Sequence, residues 1–244
     1  MKAVGYLLIA DISGYTDFVR LHALRKQSVV SKFAADFYES HAEIIVSELL
    51  EAVIEAVEPS MNLNKLEGDA AFFYSDDEPD INQADKILTV MKAAQIAFQK
   101  KAQELLFVEA CGCEPCTQAK NLRLKIVVHR GEYIHKKIRN FDELAGEAVI
   151  FVHRMLKNNV KSDEYWLVSK EFSRLIPALD ALGFCEITEN LDNFGQTKLD
   201  LKLLNSKQPK NDEKPNRSQI TKWLKQALYF SKATIRRKFA SASR

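Results

Sequence analysis

The sequence predicts an α/β (α+β) sandwich, one mostly antiparallel sheet with helices packed on it. Three observations carry this. Residues 4–10 form an unbroken apolar run of strand length, as a strand buried on both faces requires. Helical and strand-like runs follow one another in the order β, α, α, β, β, α, β, β, α, β, α, β, β. Three of the neighbouring strand pairs read as hairpins, which makes the sheet largely antiparallel.

Each element has its own signal. The strand at 4–10 ends at Asp11, and helical spacing follows from about 16 to 24. Ser28 is placed to cap a long helix running to about residue 57. Val30, Phe33, Phe37, His41, Ile44, Ile45, Leu49 and Val53 recur on one side of it, and Pro59 stands just past its end. Residues 63–66 and 70–74 form a hairpin around Glu67-Gly68-Asp69. Residues 81–106 are helical in period, and 111–120 are a loop. A strand at 122–128 takes 132–136 as its hairpin partner. Then come a helix at 146–158, a short strand at 165–169, a helix at 171–182, and a last hairpin of 184–188 with 198–204. No internal repeat is present.

Composition bounds the function classes. A chain of 244 residues buries a full core without disulfides. No run of about 18 apolar residues occurs, so no membrane-spanning helix is expected. The apolar start meets a carboxylate at Asp11 rather than a small-residue cleavage site, so it reads as a strand and not a signal peptide. The expected compartment is the cytoplasm. Net charge is +2, yet residues 214–244 carry nine Lys/Arg and no acid, which leaves −7 for the rest. This organisation reads as a domain at 1–205, a polar linker with two prolines at 206–217, and a basic amphipathic helix at 218–244. Ile220, Trp223, Leu224, Ala227 and Leu228 form that helix's apolar side. Such a helix docks on the acidic body, on an anionic membrane surface or on a partner. No nucleic-acid recognition motif accompanies it, so no nucleic acid is expected.

The chemistry-bearing signal is a pair of aspartates. Asp11 ends a buried strand, and Asp69 sits at a hairpin tip. Were those strands neighbours, both carboxylates would project from one end of the sheet. Two hard oxygen ligands so placed hold Mg²⁺ or Mn²⁺, with water and substrate phosphate completing the shell. Ser13-Gly14-Tyr15-Thr16 then opens a helix, whose free N–H groups suit phosphate. Taken singly, Asp11 also reads as a helix cap, and Asp69 as a turn residue.

At this point the sequence resembles the class III nucleotidyl cyclases. Ala10-Asp11-Ile12-Ser13-Gly14-Tyr15-Thr16 is similar to their first metal motif, and Lys65-Leu66-Glu67-Gly68-Asp69 to their Lys-x-x-Gly-Asp hairpin. Val128-His129-Arg130-Gly131-Glu132 resembles their His-x-Gly strand. Glu143-Leu144-Ala145-Gly146-Glu147-Ala148-Val149-Ile150-Phe151-Val152-His153-Arg154 resembles the segment with the base-selecting residue and the transition-state pair. The likeness spans roughly residues 4–170.

The resemblance implies the ferredoxin-like nucleotidyl cyclase catalytic-domain fold. It implies two metal ions, Mg²⁺ or Mn²⁺, on Asp11 and Asp69 with help from the Ile12 carbonyl. It implies base contacts from Lys65 and Glu143, and an arginine at Arg154 that stabilises phosphate charge. The reaction implied is attack of the ribose 3′-oxygen on the α-phosphate of a nucleoside triphosphate, releasing pyrophosphate. It also implies a head-to-tail homodimer, with metal residues from one chain and base and arginine residues from the other. Three positions depart from the pattern. The family's transition-state asparagine falls at Ile150, Glu143 stands where Asp or Thr is usual, and Lys65 with Glu143 is neither usual base set. Asn158 lies one helical turn past Arg154. A protein of the same fold that binds nucleotide and metal without turnover is the rival reading.

Cys111-Gly112-Cys113-Glu114-Pro115-Cys116 places three thiols in six residues, an insert outside the ordinary cyclase pattern and similar to an uncharacterised bacterial branch of cyclase-like proteins. The spacing suits structural Zn²⁺, with Cys185 or one of His129, His135 and His153 as fourth ligand. Redox-sensitive thiols and inert loop cysteines are the other readings. A zinc-stabilised regulatory scaffold whose basic helix binds a partner is therefore a third reading of the whole chain. His22, His41 and His153 fall on expected helices and read as packed or surface residues, whereas His129 ends a strand beside the expected site.

Overall fold

The computed structural model describes residues 2–18, 32–76, 81–105 and 119–204. The chain divides into two compact units. The first comprises Met1–Ser13, Leu50–Phe98 and Arg123–Ser206 and contains the whole sheet. The second comprises Gly14–Leu49, Gln99–Leu122 and Lys207–Arg244.

The sheet has eight strands: β1 (Lys2–Ser13), β2 (Asn62–Glu67), β3 (Ala70–Ser75), β4 (Arg123–Ile138), β5 (Phe141–Ala145), β6 (Tyr165–Ser169), β7 (Cys185–Leu191) and β8 (Gly195–Leu203). Their order is β2-β3-β1-β4-β6-β8-β7, with β5 paired to β4 off this path. Only β4 and β6 pair in parallel; all other pairs are antiparallel. The α-helices with bounds among the described residues include α1 (Lys32–Val57), α2 (Ile81–Leu105), α3 (Glu147–Leu156) and α4 (Lys170–Ser173). The sheet is mixed, with helices packed on it, and the class is α+β as the sequence predicts.

β1 is the centre of the first unit. Gly5 to Ala10 are buried without interruption. Leu7 and Ile9 join Phe72, Val127, Val152, Met155 and Leu167 in one apolar cluster. Tyr6, on the opposite side of the strand, meets Phe172 edge-on at 5.9 Å. Burial on both faces is what the continuous apolar run demands. Gly5 is required there, because a Cβ would lie 1.8 Å from the Ser75 carbonyl oxygen.

Two boundaries differ from the sequence expectation. Residues 122–128 and 132–136 are not two strands of a hairpin but parts of the single 16-residue β4, and its hairpin partner is β5. Gly131 looks like a turn residue but sits inside the strand. A Cβ on it would stand 2.7 Å from both the Ala148 Cβ and the His129 Nε2, so the glycine permits a close approach rather than a turn. The helix expected at 171–182 is also broken. Only α4 and a 3₁₀ turn at Leu179–Leu182 form. Pro177 lies between them, and a proline both lacks an N–H and clashes with the carbonyl four residues back. Ala178 then takes a left-handed φ of 53°. β1 also runs on to Ser13, so Asp11 lies within the strand rather than at its last residue.

In the second unit, Gly14 has φ 85° and Phe18 donates its N–H to the Gly14 carbonyl at 3.0 Å. Lys101 pairs with Glu48 at 3.4 Å and Glu104 at 3.6 Å. No helix among the described residues is long and apolar enough to cross a membrane. The segment 106–118 with Cys111, Cys113 and Cys116, the linker at 206–217 and the basic helix at 218–244 lie outside the described residues.

Candidate active site

The register of β1 brings Asp11 and Asp69 together. Asp11 faces Ala70 across the β1–β3 pair, and the Ile12 N–H donates to the Asp69 carbonyl at 3.1 Å. Gly68, with φ 68°, supplies the left-handed residue that turns β2 into β3 and leaves Asp69 at the tip. The two aspartates thus lie on neighbouring positions across the β1–β3 pair.

Their electrostatics are those of a site short of positive charge. Burial pushes the Asp11 carboxyl up to about 6, and the Asp69 carboxylate pushes in the same direction. Burial likewise raises Asp69. Lys125, opposite Asp11 across the β1–β4 pair, opposes both shifts without cancelling them. A divalent cation placed between them would relieve this repulsion. Ser13, two residues on and so on the same side of β1, has a buried Oγ with no hydrogen-bond partner among the described residues. A hard cation with its water shell fits this donor set: two carboxylates, the Ile12 carbonyl and an orphaned hydroxyl. Among the described residues no group of three or more His, Cys, Asp or Glu side chains forms, so water and substrate oxygens must complete any such shell.

Lys65 and Glu143 also meet, although 78 residues separate them. The Lys65 ammonium lies 3.2 Å from Glu67 Oε1 and 3.4 Å from Glu143 Oε2. The Asn64 side-chain amide donates to the Asp142 carbonyl at 3.3 Å and holds β2 against β5 there. Burial alone would lower the Lys65 pKa, but Glu67 and Glu143 outweigh it and hold the ammonium above its ordinary range.

Arg154, on α3, pairs with Asp192 at 3.3 Å. Ile150, one turn earlier, is 52% exposed. Asn158 is fully used elsewhere: its amide donates to the Met155 carbonyl and the Tyr165 hydroxyl, each at 2.7 Å, and its oxygen accepts from the Val160 N–H at 2.9 Å. It ties the end of α3 to β6. His129 is buried, 2.8 Å from Ser169 Oγ and in tilted ring contact with Phe151 at 4.6 Å. Burial lowers its pKa to about 4, against the pull of Glu171, whose Oε2 lies 3.6 Å from its Nδ1. Gly14, Tyr15 and Thr16 belong to the second unit. Cys185 is exposed on β7, and its thiol donates to the Leu201 carbonyl at 3.4 Å.

Three residues escaped the sequence reading. Lys125 could have been found by laying β4 against β1. Glu67 could have been found from the alternation Lys65, Leu66, Glu67, which puts both charges on one side of β2. His153 reads in the sequence as a packed or surface residue or a zinc ligand, and its pairing with Glu67, 86 residues away, has no local signal.

Comparison with known proteins places this geometry. Residues 46–165 match a family model described as Protein of unknown function (DUF2652). The chain is 34% identical over 152 residues to the Uncharacterized protein Rv2561/Rv2562 of Mycobacterium tuberculosis, covering 62% of this chain and 70% of that protein. It belongs to the same family as that mycobacterial protein. Among solved structures, the adenylyl cyclase CyaB from Pseudomonas aeruginosa superposes with a TM-score of 0.58 at 11% identity, over 85% of this chain and 96% of that one. The guanylate cyclase domain of RhGC from Catenaria anguillulae, in complex with GTP, gives 0.53 at 11% identity, over 82% and 97%. A class III adenylyl cyclase-like ATP-binding protein from P. aeruginosa gives 0.51 at 19% identity, over 72% of this chain and 35% of that one. The fold is therefore that of cyclase catalytic domains.

Proposed function

We propose that the chain is a metal-dependent nucleotidyl cyclase that converts a nucleoside triphosphate to a cyclic nucleotide and pyrophosphate. The observation that carries this reading is the juxtaposition of Asp11 and Asp69, two half-buried carboxylates that repel each other on a cyclase-like sheet. Asp11, Asp69 and the Ile12 carbonyl would hold two Mg²⁺ or Mn²⁺ ions. When bound, such ions lower the pKa of a ribose hydroxyl and neutralise the leaving phosphates. Lys65 and Glu143 offer a donor and an acceptor to a base edge. Arg154, released from Asp192, offsets charge developing on the α-phosphate. The Ser13 hydroxyl, with the Gly14, Tyr15 and Thr16 stretch that follows it in sequence, is assigned to the phosphates. We further propose a head-to-tail homodimer in which Lys65, Glu143 and Arg154 of one chain serve the aspartates of the other. The cytoplasm, with its pool of nucleoside triphosphates, is the compartment this reading assigns to the activity.

One observation favours a second reading. Ile150 offers no hydrogen bond where cyclases place an asparagine, which suits a protein that binds nucleotide and metal without turnover. The test is a turnover assay with Mn²⁺ or Mg²⁺ and each of ATP, GTP, CTP and UTP, reading cyclic products by mass spectrometry, with Asp11→Ala alongside. A cyclic product lost in the variant is the expected result. Metal-dependent triphosphate binding without product, lost in the same variant, selects the second reading. Neither product nor binding overturns both.

A further inference from the structure

The cyclase reading assigns Lys65 to the base but says nothing of what aims it. An ammonium on a flexible four-carbon stem has many rotamers, so its direction must be imposed from outside. Here the imposing groups are Glu67, at 3.2 Å, and Glu143, at 3.4 Å. Glu67 is itself gripped. The His153 Nε2 lies 3.1 Å from its Oε1 and 3.0 Å from its Oε2.

His153 is a rigid anchor for three reasons. Its Nδ1 lies 2.7 Å from the Val149 carbonyl oxygen one turn back on α3, which fixes the ring's rotation; with Nε2 on Glu67, both ring nitrogens donate together only as the imidazolium. Its ring meets Phe72 of β3 edge-on at 5.0 Å, which fixes its tilt. Its helix packs through Ala148, Val152 and Met155 into the apolar core. A chain of contacts therefore runs from the core helix through His153 and Glu67 to Lys65 and on to Glu143. Lys65 has three N–H donors; two point at the carboxylates, and the third is left for a ligand acceptor. Glu143 keeps free lone pairs for a neighbouring N–H. The spacing and angle of that donor–acceptor pair are what a nucleobase edge reads, and Glu67 determines where the donor stands.

We propose that His153 is a positioning residue for nucleobase discrimination: by clamping Glu67 it sets the direction of the Lys65 ammonium beside Glu143. This rests on the nucleotide reading of the same site. His153 touches no base and acts through Glu67.

The test uses full-length protein and three variants, His153→Ala, Glu67→Gln and the double variant. The first readout needs no nucleotide. Acetylation of Lys65 by limiting acetic anhydride is followed by peptide mass spectrometry, with Lys92 on α2 as the reference. Lys65 is expected to react several-fold faster in each variant while Lys92 is unchanged. The second readout is the set of dissociation constants for ATP, GTP, CTP and UTP with Mn²⁺, and for inorganic tripolyphosphate with Mn²⁺. Because a hydrogen bond to a charged group is worth roughly tenfold in an equilibrium constant, the preferred nucleotide should lose about tenfold of its advantage over the others. The double variant should lose no more than either single one. Equal weakening of all four nucleotides and of tripolyphosphate would mean a merely structural role and would overturn the proposal. So would unchanged Lys65 reactivity. If Lys65 reactivity responds but the wild-type protein binds no nucleotide, the clamp is real and the base-discrimination role falls together with the cyclase reading.

Discussion

At the scale of single residues, Asp11 concentrates the consequences of the site. Its carboxyl is raised from 3.8 to about 6, burial first and Asp69 second. A raised carboxyl favours the protonated native state, so its contribution is fully present below pH 3.8 and is lost as pH rises through about 6. In EDTA, the wild type should therefore lose about 2 kcal/mol relative to Asp11→Asn between pH 4 and pH 7. Thermal melts of both proteins across that range measure the difference. Saturating Mn²⁺ should reverse the order at pH 7 by stabilising only the wild type, on the order of 3 kcal/mol at a hundredfold excess over the dissociation constant. The aspartates were legible in the sequence because a strand end and a glycine turn carry local signals. Lys65 and Glu143 were legible only through resemblance. Glu67 and His153 were not legible together, because nothing local encodes a contact between a hairpin tip and a helix 86 residues on.

At the scale of elements, β1, the β2–β3 hairpin, α2 and β6 were readable from apolar period and turn chemistry alone. β4 and the 171–182 segment were not. The turn expected between 128 and 132 is continuous strand, where Gly131 permits a close approach, and Pro177 splits the segment expected as one helix. The seam between α3 and β4 is where the first error can be measured. Gly131→Ala places a methyl 2.7 Å from the Ala148 Cβ and the His129 Nε2, and overpacking of this kind costs about 1–3 kcal/mol. Chemical denaturation should show that loss, and pairing it with Ala148→Gly should restore part of it. Asn158, at the end of the same helix, shows the opposite lesson. Its polar groups look available in sequence, yet all serve the junction of α3 with β6.

At the scale of the whole molecule, the proposed head-to-tail pairing makes a claim that no single chain can satisfy. Asp11→Ala removes the metal side and Arg154→Ala the arginine side, and in a mixed dimer both defects fall in the same site. Each homodimer should be inactive. Mixed in equal amounts and allowed to exchange, they should form dimers with one intact site and recover roughly a quarter of wild-type turnover, the share expected from random pairing in a twofold assembly. Cyclic-nucleotide production before and after mixing reads this directly, and no recovery would place all the working residues in one chain.

The pairing of β1 also sets a tempo. β4 accompanies it from Lys2 to Ser13, and β3 pairs with its Tyr6–Asp11 stretch. Amides so enclosed open only when the whole fold opens, whereas a glycine turn such as Glu67-Gly68-Asp69 opens by local fraying. The two carboxylates of the site thus stand on backbone of unequal patience, one bound to a slow clock and the other to a faster one. A cation held between them would pass the slow clock's time to the turn, so that the entry of a ligand is recorded less in a change of shape than in the quieting of three residues.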